Sequence, residues 1–67
     1  MIAVIHRVTL QQPVDPKRGE ILTAADGEQL EVTNTEPGGF VYAMDGGGTT
    51  FRGRRAASSK ELRLERQ

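Results

Sequence analysis

Apolar residues recur at every second position in this chain, in short runs cut by glycine and proline. Ile2, Val4, His6, Val8 and Leu10 share one face at period two, with Ala3, Ile5, Arg7 and Thr9 on the other. That period belongs to a pleated strand with one face buried, and Val and Ile suit such a surface. A strand is predicted over 2–10. No 3.6-residue stripe separates apolar from polar positions there, which argues against a helix.

The pattern returns after each turn signal. Residues 11–19 (QQPVDPKRG) form a predicted loop, because Pro13 and Pro16 each remove a ladder donor. Residues 20–24 read as a short strand, and Asp26-Gly27 then supplies the positive backbone angles of a hairpin turn. Residues 29–34 return as a strand with Leu30 and Val32 on one face. Glu36-Pro37-Gly38-Gly39 is the next turn, followed by a strand over 40–44 with Phe40, Tyr42 and Met44 on one face. These three residues are expected to face the core, which obliges the Tyr42 hydroxyl to reach a partner or the surface. The reverse orientation makes them an exposed apolar stripe and hence an interface. Asp45-Gly46-Gly47-Gly48 is a loop before a strand over 49–54. In the tail, Ser58-Ser59-Lys60-Glu61 matches a capping box, yet Leu62 and Leu64 stand two apart. One helical turn near 58–61 and a strand over 62–66 are expected.

The expectation is an all-β fold, a five-stranded antiparallel meander, one strand fewer than the six extended segments above, closed into a small barrel with one short helical turn near the C-terminus. The order of elements resembles that of SH3-like barrels. The likeness spans most of the chain but rests on no sequence motif. The aromatic-rich peptide groove of SH3 domains has no counterpart among three aromatics and no Trp, so its ligand residues are not carried over.

With 67 residues there is room for one domain, residues 1–67. No cysteine means no disulfide, no thiolate metal site and no Cys nucleophile. An efficient barrel or oligomerisation must then supply stability, and a homo-oligomer is one expected state. The apolar start is too short to span a bilayer and carries His6 and Arg7, so a cytoplasmic protein with no membrane partner is expected.

Few residues suggest chemistry. His6 is a lone histidine on an apolar strand face, and Ser58 and Ser59 have no nucleophile-elbow motif. The 45–50 segment (DGGGTT) lacks both the lysine and the following helix of a phosphate loop, and the ligand spacing of a calcium loop. No catalytic residue, metal ligand or cofactor is assigned. Charge is balanced at nine basic and nine acidic residues, but unevenly along the chain. Residues 20–36 carry five acidic and no basic residues, whereas 52–66 carry a local charge of +4. The bland outcome is that the two regions lie side by side and neutralise each other.

The expected role is a small non-catalytic protein-interaction module, an inhibitor or adaptor of phage or mobile-element type that occupies a partner's surface. Its contact residues are the acidic Glu28, Glu31 and Glu36. The alternative is binding of RNA or DNA through the Arg-rich segment 51–55, using Phe51, Arg52, Arg54 and Arg55, since arginine forks hold phosphate and an aromatic offers a stacking face. A lesser alternative is an oligomeric enzyme with its site between subunits.

Overall fold

The computed structural model describes residues 4–11, 16–55 and 58–67. Six strands form one antiparallel sheet: β1 (Ile5–Thr9), β2 (Ile21–Thr23), β3 (Gln29–Glu36), β4 (Phe40–Met44), β5 (Thr50–Arg54) and β6 (Glu61–Arg66). Their order is β1-β6-β5-β4-β3-β2, so from β2 onward each strand neighbours the next in sequence, and the last pairs with the first. The sheet nearly closes on itself. A single bridge, Val8 to Ala24, and the Ala25 N–H donating to the Arg7 carbonyl at 2.9 Å tie β1 to β2.

Among the described residues, the ten buried core residues all come from the inward side of this wall. Val8, Leu22, Ala24, Leu30, Val32, Val41, Ala43, Phe51, Leu62 and Leu64 are buried, and Leu10 packs against them. Phe51, Leu30, Leu62 and Leu64 are the largest fully buried side chains. Burying such side chains is the main favourable term for a chain this size.

Turn chemistry sets the registers. Gly27 takes φ 88°, and the Asp26 carboxylate accepts the Glu28 N–H at 2.9 Å, an Asx turn closing the β2–β3 hairpin. Asp45 Oδ1 accepts both the Gly47 and Thr49 amides at 2.9 Å, so the glycine loop between β4 and β5 is tied to its own first residue. A bulge between Val32 and Asn34 shifts the β3–β4 register and brings Glu36 opposite Phe40. Gly53 lets β5 lie against β6: a Cβ there would sit 2.1 Å from the Arg63 carbonyl oxygen.

Several expectations need correction. There are six strands, not five, because every extended segment, the three-residue β2 included, takes a place in the ladder. No helical turn is found among the described residues near the C-terminus. The Ser59 hydroxyl instead accepts the Glu61 N–H at 3.0 Å, a local turn that feeds straight into β6. Leu62 and Leu64 are both fully buried, and two-residue burial demands extended backbone.

The facing of β4 is also reversed. Val41 and Ala43 point inward, so Phe40, Tyr42 and Met44 line the outside. The cause is register: Phe40 lies opposite Arg54 and Tyr42 opposite Arg52, and directly paired residues share a face. With Phe51 inside, those arginines must be outside. Positions 2 and 3 of the 2–10 strand, positions 12–15 of the 11–19 loop and positions 56–57 lie outside the described residues. Among the described residues no helix is long and apolar enough to cross a membrane.

Candidate functional site

The outer wall of β4 and β5 carries a set of side chains that the core does not use. Phe40 and Tyr42 are half-buried there, on the opposite face of β4 from the core residues Val41 and Ala43. Guanidinium groups cover them. The Arg52 Cζ lies 4.4 Å from the Phe40 ring centre and 5.8 Å from that of Tyr42, and the Arg54 Cζ lies 5.4 Å from Phe40. Such contacts each contribute about 0.5–1 kcal/mol at exposed sites. Arg54 is steadied further by donating from Nε to the Gly38 carbonyl at 3.1 Å, across the β4 turn.

Glu36 completes this arrangement. A hydrogen bond from the Tyr42 hydroxyl to the Glu36 carboxylate pushes the phenol above its ordinary value; desolvation adds to this and the Arg52 charge opposes it. On the other side of Arg52, across the β5–β6 ladder, stands Glu65. A shallow groove of about 360 Å³ follows this boundary, lined by Phe40, Arg52, Gly53, Arg54, Arg63 and Glu65. Met44, 38% exposed, and Ile21, 56% exposed, continue the apolar character along the outside, flanking Glu31.

The expected acidic set is not gathered into one patch. Glu28 sits in the β2–β3 turn and Glu36 at the far end of β3, roughly 25 Å away along an extended strand. Glu31 lies between them, and only Glu36 joins the aromatic face. Of the Arg-rich segment, Arg52 and Arg54 point outward beside the rings, whereas Phe51 is 2% exposed in the core and offers no stacking face. Arg55 donates its N–H to the Gly39 carbonyl at the end of β5. The acidic and basic regions meet where Glu36 and Arg52 both reach Tyr42, but their strands are not adjacent. β4 separates β3 from β5 on one side of the barrel, and β1 separates β2 from β6 on the other.

His6 is buried against the edge of Phe51, with ring centres 4.7 Å apart at 85°. Its Nδ1 has no hydrogen-bond partner, and the nearest carboxylate oxygen, Asp26 Oδ2, is 3.7 Å away. Among the described residues no group of three or more His, Asp or Glu is placed to hold a metal ion.

Sequence reasoning missed the pairing of Phe40 and Tyr42 with the arginines. The signal was present in the hairpin itself: if Phe51 faces inward, Arg52 and Arg54 face outward, and a short β4–β5 loop puts the rings opposite them. In comparisons with protein-family models, with curated proteins and with solved structures, the chain matches none.

Proposed function

We propose that this chain is an SH3-like small barrel serving as a non-catalytic protein-interaction module, an inhibitor or adaptor that works by covering a partner's surface. The contact face is the outer wall of β4 and β5. The observation that carries this reading is the pair of outward-facing rings, Phe40 and Tyr42, held under Arg52 and Arg54. Tyr and Arg are the residue types that dominate binding energy in protein interfaces, and rings already fixed in place lose little freedom on binding. Exposed Met44 and Ile21 widen the apolar area.

Nucleic acid is the weaker reading. Phe51 is buried, the rings are already capped by guanidinium groups, and Glu36 and Glu65 stand beside the arginines where phosphates would pass. The total charge is zero. Binders of nucleic acid of this size are usually basic.

The test is a tagged pull-down from lysate of the source organism, with and without nuclease, using wild type and the Phe40→Ala/Tyr42→Ala variant. A defined protein retained through nuclease treatment and lost with the variant is the expected result. Retention that disappears with nuclease, or that ignores the variant, sinks the proposal.

A further inference from the structure

Arg7 and Arg63 are direct partners across the β1–β6 ladder, both exposed on the outer wall. Like charges placed directly opposite in a sheet are destabilising. Arg63 also lines the groove that holds Arg52 and Arg54, and with Arg7 it lines a second groove of about 270 Å³ beside Ile5, His6 and Asp26. Four guanidinium groups from β1, β6 and β5 thus border one continuous stretch of outer wall. The carboxylates bordering it are Glu61 and Glu65, on either side of Arg63 along the exposed face of β6, with Glu65 across from Arg52 and Ile5, and Asp26 at the far edge.

We infer that this stretch is the seat of an acidic, extended peptide segment of the partner, laid across β5, β6 and β1 with its carboxylates on Arg54, Arg63 and Arg7. This deepens the proposed protein-binding role and rests on it. Charge complementarity carries the argument. A cross-strand arginine pair has a standing repulsion that a carboxylate between them removes, and the arginine fork matches a carboxylate in two bonds. The span from β1 to β5 is two strand spacings, about 10 Å, which an extended peptide covers in about three residues. A peptide also accommodates Glu61 and Glu65, which flank the path, by placing neutral or basic side chains toward them. A phosphate backbone has no such choice, because every unit is negative. Ile5, 44% exposed and two residues from Arg7 on the same face of β1, gives the segment an apolar contact beside its last carboxylate.

The inference is tested by fluorescence anisotropy at low salt. The probes are a labelled octapeptide of alternating Glu and Leu, its Lys-for-Glu counterpart, and a labelled ten-nucleotide oligothymidine. The Glu peptide is expected to bind at least ten-fold more tightly than the Lys peptide. The Arg7→Gln/Arg63→Gln variant should weaken it about ten-fold while keeping the wild-type circular dichroism spectrum. Lys17→Gln/Arg18→Gln removes the same charge from the 11–19 loop and should leave affinity within two-fold. Equal binding of the two peptides, equal loss in the loop variant, or tighter binding of oligothymidine each overturns the inference. Its failure is separable from that of the proposed function: capture of a protein partner that depends on Phe40 and Tyr42 survives even if the acidic probe does not bind.

Discussion

The inner and outer sides of the β4–β5 hairpin are built on opposite rules. The inner side holds Val41, Ala43, Phe51 and Gly53, with one large ring among small side chains. The outer side holds Phe40, Tyr42, Met44, Arg52 and Arg54, long or bulky side chains, with only Thr50 small among them. Inside, space is limiting: Leu30, Leu62, Leu64 and Phe51 already fill the barrel, and at Gly53 not even a methyl group fits against the Arg63 carbonyl. Outside, no such limit acts, yet two of the chain's three aromatics stand there, shielded by arginine rather than by the core. Side chains that folding does not require are the ones left to serve binding. Inner substitutions should therefore act on stability, and outer ones on partners.

The sharpest attempt to break this contrast is Phe51→Ala. It removes the largest buried side chain and should cost about 3–5 kcal/mol. That is comparable to the whole stability of a domain this size, roughly 3–10 kcal/mol. Far-UV circular dichroism at 25 °C should show an unfolded chain; a folded one with an unchanged urea midpoint would mean the interior is not packed around Phe51.

Gly53→Ala comes next. The added methyl meets backbone, which cannot rotate away, so β5 and β6 must separate. A loss of about 3 kcal/mol in urea unfolding is expected. A wild-type midpoint would show that the close approach of the two strands is not needed.

Phe40→Ala probes the outer side. It removes the platform under two guanidinium groups and should lower stability by only about 1 kcal/mol. Partner capture should nevertheless be lost. An outer ring that matters as much to folding as Phe51 would erase the distinction between the two sides.

The smallest effect is spectroscopic. Tyr42 is the single tyrosine and there is no tryptophan, so phenolate absorbance reports it alone. Its pKa is raised above 10.0, first by the hydrogen bond to Glu36, so ionisation breaks that bond and sets two negative charges side by side. Any stability gained from this contact is present below the unfolded-state value and is lost as pH rises through the folded-state value. Glu36→Gln removes the charged acceptor and should move the titration down toward the ordinary value. An unchanged curve would mean the contact does not form in solution.

Much of the fold was legible because its cause is local. Period two marks strands wherever one face is buried, and Asp26-Gly27, Pro37-Gly38-Gly39 and Asp45 with its glycines mark turns through their own backbone preferences. The tail misled because Ser-x-x-Glu is a helix signal only when no stronger demand acts nearby. Burial of Leu62 and Leu64 against the barrel outweighed a cap worth about 1 kcal/mol. The site was less legible. Alternation along 40–44 has two solutions, and hydrophobicity alone favours putting the rings inside.

The residues by themselves determined that this chain is all-β, where its turns fall, and that its charges are segregated along its length. Tertiary structure decided which side of β4 faces out, that Arg7 joins Arg63, and that strands intervene between the acidic and basic regions except where Glu36 and Arg52 meet at Tyr42. The physical reason is that strand character follows from each segment's own side chains. Facing and adjacency follow from pairing between segments, and pairing is settled by which residues fill a closed interior of fixed volume.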